Sequence, residues 1–449
     1  PPPPPPPPPP FFSPPPPPPP ISACLVGSEM CIRDSKDIGG NMSGPLDGYR
    51  VIELTSTVSG PFAGMMMADQ GADVIKVEPP LIGDLARVMG SSRDGMAAMF
   101  SVINRNKRCI VLDFKEPKDF DVLKKLLDTA DVLIENYRPG VVKKLGIDYE
   151  TLKKSNPKII YTSISGYGQS GPYINRRVYD PLIQATAGSA AAQNSEKPEF
   201  FKTIVFDKVT GLTAAQAIST ALVQRERTGK GQYLPISMLD SALYYIWPDV
   251  MWSKTLLGDG VKYLPDLFDA FPIFKTKTRY LSVILLQDAD FQKFCELCNS
   301  DLHTNEKYMT TDARVENLES LLQDVQDLLI DIDAEFLCDE LDKAGVPVAI
   351  VNSLDEIHED PQVIQQESLV EVEHPVAGKM RMPRPPFNFT DQNEFPKSHA
   401  PSLGMHNREV LEDLGVDEED ILRMEEREKT NKELIDAMTL ADAGNQSRK

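Results

Sequence analysis

The 449-residue chain sets 47 Lys and Arg against 67 Asp and Glu, a formal charge of −20, with 41% hydrophobic residues. An acidic balance of that size disfavours nucleic acid as a partner. No apolar run reaches the roughly 18 residues that a bilayer-spanning helix needs, so no membrane partner is expected either.

Residues 1–41 are set aside before any fold is inferred. Two proline runs, 1–10 and 14–20, hold 17 of the 39 prolines and suit only a solvated polyproline helix or a disordered tail. The stretch "CLVGSEMCIRDS" at 24–35 reads in frame as a sequencing-library adapter. A non-native leader is therefore expected, with Met42 as the start; whether the scar replaced an organellar leader stays open. The four cysteines beyond it (Cys109, Cys295, Cys298, Cys338) are unevenly spaced, which suits reduced thiols in a cytoplasmic compartment. Cys295 and Cys298 form a lone C-x-x-C without a second ligand pair. They are expected in a helix core with Phe291 and Phe294.

From residue 50 short apolar runs alternate with helical patterns: "YRVIEL", "GPFAGMMMADQG", "ADVIKVE", "RCIVLDF", "DVLKKLLDTA", "DVLIEN", "YETLKKSN" and "IIYTSISGYG". Such alternation predicts βαβ units in a parallel α/β sheet. Ligands bind beyond the carboxyl ends of such strands, where "NYRPG" and "SGYGQSGP" would lie. No G-x-G-x-x-G follows the first strand, so a dinucleotide fingerprint is absent. A small-residue helix, "LTAAQAISTALVQRE", ends at "RTGKGQ", and "YLPISML" predicts another strand. Residues 42–250 are expected to form the first part of a large domain. Residues 255–385, with "AFPIFKT", "RYLSVILL", "VPVAIVN" and intervening helices, predict a smaller α+β domain. Residues 386–449 predict a return to the large domain and a charged C-terminal helical pair.

Charge is unevenly distributed. Residues 101–177 hold 15 basic and nine acidic side chains, net +6, leaving −26 for the rest. An acidic protein with one basic region suggests a field focused on a small anion. Its clusters are Arg105, Lys107 and Arg108; Arg138, Lys143 and Lys144; and Arg176 with Arg177. Lys124, Lys125, Lys153 and Lys154 read as solvated helix faces.

Taken in order, "PLDGYRVIELT", "GPFAGMMMADQGADVIKVEPP", "GDLAR", "NRNKRCIVLD", "ADVLIENYRPGVVKKLGID", "ISGYGQSGP", "RTGKGQ", "GVPVAIVNSLDEIHEDPQV" and "APSLGMHNREVLEDLG" resemble the class III coenzyme A transferases. That group includes the formyl-CoA and carnitine CoA-transferases and the 2-methylacyl-CoA racemases. The resemblance covers Leu46 to Gly415. It implies a Rossmann-like large domain, a smaller domain and an interlocked, ring-shaped homodimer. The substrates it implies are acyl-CoA and small carboxylic acids, with coenzyme A as co-substrate and neither a further cofactor nor a metal.

The family's nucleophile is an aspartate opening a small-residue helix after the "GYG" loop, and Asp207 in "VFDKVTG" occupies that place. An aspartate is ionised near neutral pH and can attack a thioester without a general base; the same position also suits a helix N-cap. Matched motifs carry over coenzyme A contacts at Val58 and Ser59; Leu112, Asp113 and Lys115; Asn136, Tyr137 and Arg138; Lys144; and Arg176, Arg177, Val178, Tyr179 and Asp180. Arg105, Lys107 and Arg108 join them by charge. A basic residue that formyl-CoA transferases place after the second strand is Pro79 here, with Arg87 as the expected substitute.

The racemases carry Gly-His-Asp where this chain has Val178, Tyr179 and Asp180, and all five histidines fall in the second half. Two-base proton transfer then lacks its better partner. Racemase and a non-catalytic CoA- or nucleotide-binding scaffold remain the alternatives. Residues 245–275 offer only Gly258 and Gly260 in place of the glycine-rich lid of oxalate-specific members, which argues against formyl-CoA/oxalate specificity.

Overall fold

The computed structural model describes residues 44–262, 271–389 and 395–446. The leader expected at 1–41 lies outside them, as do residues 263–270 of the segment searched for a lid.

Six strands form the central sheet: β1 (Arg50–Leu54), β2 (Asp73–Glu78), β3 (Lys107–Val111), β4 (Val132–Glu135), β5 (Ile160–Ser165) and β6 (Gln232–Ser237). All pair in parallel, in the order β3-β2-β1-β4-β5-β6. This is the doubly wound order whose direction reverses between β1 and β4, leaving a crevice at their carboxyl ends.

The strands read as almost unbroken apolar runs because both faces are covered. Period-2 alternation sorts them. Ile52, Leu54, Ile75, Val77 and Leu133 pack with Val122, Leu123, Leu126 and Leu127 of the helix Pro117–Asp128. Val51, Val74, Val132, Ile134 and Ile160 pack on the other face against α1 (Ser59–Asp69) and the long helix α3 (Val205–Thr228). Between them in sequence lies α2 (Asp180–Ala187), and α4 (Met238–Val250) follows β6.

Edge strand β3 is not left open. The Nδ1 of His406 accepts from the Cys109 N–H at 3.0 Å and the Asn407 Oδ1 from the Val111 N–H at 2.8 Å, so the chain's late segment covers an edge that would otherwise pair with another molecule.

Residues 273–350 build a second sheet, antiparallel, from Ile273–Lys275, Tyr280–Val283 and Val348–Ile350. Its own core includes Phe291, Phe294, Cys295, Leu321, Val325, Leu337 and Leu341, with Cys298 packed against it. The helical pattern through "LLIDIDAEFL" is divided into two helices: Asp333 accepts from the Phe336 N–H and starts a new one, Ala334–Lys343. A hairpin, Leu369–His374 with Gly378–Pro383, was not foreseen, although "LVEVEH" and "GKMRMP" carry the period-2 alternation that signals one.

Four charges are sealed beneath the crevice. Glu53, Lys76, Asp84 and Lys107 are each at most 1% exposed. Lys76 Nζ lies 2.7 Å from Glu53 Oε1 and 2.8 Å from Asp84 Oδ2, and Lys107 Nζ lies 2.8 Å from Glu53 Oε2. Burial disfavours charge, yet the two ammonium groups hold Glu53 below the usual carboxylate range. Lys107 is pushed down to about 8, by burial first. Gly64 of α1 has no side chain because a Cβ there would run into Glu53 Oε2.

Replacing Lys76 by Met leaves two buried carboxylates with one ammonium, an imbalance expected to destabilise by about 3–5 kcal/mol. Denaturant titration of the variant against wild type measures it; a loss under about 1 kcal/mol would show that the quartet does not hold this end of the sheet.

Candidate active site

The first requirement is a rigid rim at the β1–β4 crevice. The Asn136 side chain, just past β4, accepts from the Ser56 N–H at 3.1 Å and donates to the Ser56 carbonyl at 2.9 Å, stitching together the loops that follow β1 and β4. Asp84 holds the same loop from the other side. Its Oδ1 accepts from Ser56 Oγ at 2.9 Å and from the Thr57 N–H at 2.8 Å, while Lys76 grips Oδ2. Thr57 has φ +76°, a left-handed conformation that a β-branched residue adopts only when its surroundings fix it. Under β4, Glu135 accepts from the Tyr137 N–H at 2.8 Å and is raised to about 7 by burial.

Two cavities open at this rim. The larger, about 480 Å³, is lined by Leu112, Asp113 and Lys115 together with Glu78, Pro79 and Asp84. The smaller, about 180 Å³, is lined by Ser59, Arg176, Arg177, Val178, Tyr179 and Asp207. Ser56, Asn136, Tyr137 and Arg138 belong to both and form a common wall.

Asp207 sits in the first turn of α3, half-buried, facing Ser59 at the start of α1. It is not the N-cap. The helix begins at Val205, and its first N–H groups are met from outside by Asp180, whose Oδ2 accepts from Phe206 at 2.6 Å and Asp207 at 2.9 Å. Burial and then the Asp180 charge raise the Asp207 carboxyl to about 6, against the opposing pull of the Ser59 hydroxyl and N–H. The glycine close behind also has its reason. A Cβ on Gly211 would stand 2.8 Å from the Ser59 carbonyl oxygen and 3.1 Å from Phe62, so only glycine lets α3 approach α1 this closely.

Several expected contacts are corrected. Arg105, Lys107 and Arg108, expected at an anionic ligand, line neither cavity. Arg105 is buried in a two-pronged pair with Asp69, at 3.1 and 2.6 Å, and Lys107 belongs to the buried quartet. Arg108 pairs with Asp73 at 2.7 Å and Glu409 at 2.8 Å. Arg87 does not replace the missing base at Pro79: its guanidinium is bound at two points by Glu78, 2.8 Å each, and lies over the Phe100 ring. Asp180 is 1% exposed and turned to α3 instead of a pocket. Val58 is buried at the start of α1, and Lys144 is exposed outside both linings. By contrast, Arg138, Arg176 and Arg177 have no carboxylate partner among the described residues, and all three line the Asp207 cavity. Thr57, Tyr167 and Met238 also line it and were not singled out. For Tyr167 the "SGYG" loop was the available signal; Met238 gave none.

Among the described residues no group of three His, Cys, Asp or Glu is placed to hold a metal ion, and no helix is long and apolar enough to cross a membrane.

Residues 46–407 match the family model described as CoA-transferase family III. Over 381 residues the chain is 33% identical to succinyl-CoA:glutarate CoA-transferase of Mus musculus, covering 82% of this chain and 86% of that protein. It is 31% identical over 416 residues to formyl-CoA:oxalate CoA-transferase of Escherichia coli O157:H7, covering 86% and 99%. Among solved structures, a CAIB/BAIF family protein from Brucella suis superposes with a TM-score of 0.73 at 31% identity, covering 83% of this chain and all of that one.

The carboxyl of Asp207 ionises at higher pH in the folded chain than in the unfolded one, so the folded state binds its proton more tightly. This group therefore favours the folded state most below about pH 4, and its contribution worsens as pH rises through about 6. Asp207→Asn should be more stable than wild type by about 2 kcal/mol at pH 7.5, allowing for partial exposure, with the gap closing by pH 4. Melting curves across that range check it.

Proposed function

The chain belongs to CoA-transferase family III, and from that premise we propose that it moves coenzyme A between two carboxylic acids with Asp207 as nucleophile. The observation that carries the proposal is a half-buried carboxylate, raised to about 6, sharing one cavity with three guanidinium groups that have no carboxylate partner among the described residues. A carboxylate of higher basicity is the stronger nucleophile, and it is ionised at neutral pH.

In the proposed course an Asp207 oxygen attacks the thioester carbonyl and the C–S bond breaks, giving a mixed anhydride and the CoA thiolate. The thiolate attacks the aspartyl carbonyl and expels the donor acid as its carboxylate, leaving an aspartyl-CoA thioester. The acceptor carboxylate then attacks that carbonyl and releases the thiolate, which closes on the acceptor's acyl carbon and frees Asp207. One thioester replaces another, so the exchange is nearly balanced without ATP. The Ser59 hydroxyl and N–H orient the carboxylate between stages.

The larger cavity and its common wall suit the nucleotide and arm of coenzyme A, with Lys115 and Arg138 for its phosphates. Arg176 and Arg177 line only the Asp207 cavity, and a dicarboxylic acid would place its second carboxylate there. Succinate, glutarate and oxalate in the relatives' names are dicarboxylates. A homodimer belongs to the same proposal, supported by the exposed aromatic face Tyr244, Tyr245 and Trp247 of α4 with Leu256 and Leu257 beyond it.

Asp207→Ala should lose transfer by several orders of magnitude while still binding coenzyme A. In the wild-type protein incubated with succinyl-CoA, hydroxylamine should leave a hydroxamate on the peptide that contains Asp207. Product formation without that hydroxamate would sink the mechanism. Transfer should also decline below about pH 6 as Asp207 takes its proton. Arg176→Ala with Arg177→Ala should raise KM for a dicarboxylate acceptor at least tenfold more than for a monocarboxylate of equal length, an effect of about 1.4 kcal/mol; equal effects on both acceptors would remove the dicarboxylate preference.

A further inference from the structure

Asp180 lies 27 positions before Asp207 in sequence and directly behind it in space. Only 1% of Asp180 is exposed. Among the described residues every hydrogen bond to its oxygens comes from an N–H donor: Phe206 and Asp207 to Oδ2, and the Gln184 amide to Oδ1 at 2.6 Å. That donor set is the one an ionised carboxylate takes, and two of its members are N–H groups at the positive end of α3.

Gln184 extends the brace. Its Nε2 reaches the Thr203 carbonyl at 3.2 Å and its Oε1 accepts from the Phe201 N–H at 2.8 Å, so α2 fixes the whole segment that leads into α3. The segment has no cap of its own, since Ile204 precedes the helix without a side-chain bond.

We propose that Asp180 is a positioning residue that fastens the backbone at the start of α3, and so the Asp207 side chain it carries, and whose charge joins burial in opposing the ionisation of Asp207. A second negative charge held behind Asp207 opposes its ionisation, and a carboxylate so opposed is more basic and more nucleophilic once formed. The other groups facing Asp207 differ in kind. Ser59 from α1 stabilises the ionised form. Arg138, Arg176 and Arg177, with Tyr167 and Tyr179, come from the loops on the cavity's open side. On α3 itself Lys208 is bonded to the Thr203 hydroxyl at 2.8 Å. Asp180 is therefore the acidic group among them.

The kinetic test rests on the transferase proposal; a second readout does not. Asp180→Asn keeps an oxygen for the two N–H groups and removes the charge. For the full-length protein, the acid limb of kcat/KM for transfer from succinyl-CoA is recorded from pH 4.5 to 8.5. The titration of Asp207 itself is read from carboxylate infrared bands, as the difference between each protein and its Asp207→Asn counterpart. In Asp180→Asn both should move from about 6 toward the ordinary carboxylate range, with activity at pH 5 relative to pH 7.5 rising roughly fivefold for a one-unit displacement. Asp180→Glu, which keeps the charge, should leave the limb in place.

A limb and titration unmoved in Asp180→Asn, or moved equally in Asp180→Glu, would overturn the assignment and leave Asp180 a structural brace. Asp180→Ser, neutral with a hydroxyl acceptor, reads the same two quantities should the Asn variant not accumulate folded. An infrared displacement in a protein that transfers no coenzyme A would sustain Asp180 and defeat the transferase mechanism; transfer with no displacement would do the reverse.

Discussion

The close approach of α3 to α1 is the constraint on which the site depends. Gly211 presents no side chain to the Ser59 carbonyl and Phe62, and Ser59 meets Asp207 across the gap. A methyl group at position 211 meets backbone on one side and an aromatic ring on the other, neither of which can swing away. The setting of Asp207 is thus fixed by packing one helical turn downstream, before any charge is considered. The charges refine it: Ser59 pulls toward ionisation while burial and Asp180 push against it.

The sheet below supplies the second constraint. Glu53, Lys76, Asp84 and Lys107 link β1, β2 and β3 to the loop that carries Ser56 and Thr57. Sealed ions are weak sources of stability, because the attraction gained is set against the hydration lost. Their use lies in specification. An apolar substitute could fill the same volume, but it could not tell the loop where its backbone N–H must point.

Sequence alone reached the alternating parallel sheet and the crevice loops, because each leaves a local trace in periodic apolar runs and in glycine and proline at the turns; a long ordered set of motifs pointed to Asp207, which the structure places beside a cavity at the crevice. Sequence failed where partners are distant. Arg105, Lys107 and Arg108 stand together in the chain as a basic cluster, yet the strand separates them, and each meets an acid 36 or more positions away or across the sheet. Charge counted along the chain could not see Asp69, Glu53 or Glu409. Asp180 parts from its motif neighbours for the same reason: Arg176, Arg177 and Tyr179 line the cavity, while the start of α2 turns this one side chain inward. Asn136, Tyr137 and Arg138 follow a strand end directly, where topology leaves little choice, and they line both cavities.

Helix α3 is also secured at its far end. The guanidinium of Arg225 reaches the Asp131 carboxylate at 3.1 Å, beside the start of β4, and lies over the Tyr49 ring. With Asp180 at one terminus and Asp131 at the other, the helix is held at both ends, from the crevice back to the start of β4. Under the proposed course, a carboxylate carried on a helix held at both ends would keep its place from one stage to the next. On that proposal, travel between stages would fall to the flexible thiol-bearing arm of the substrate, and its residence time beside the helix would govern how often the loaded enzyme is lost to water.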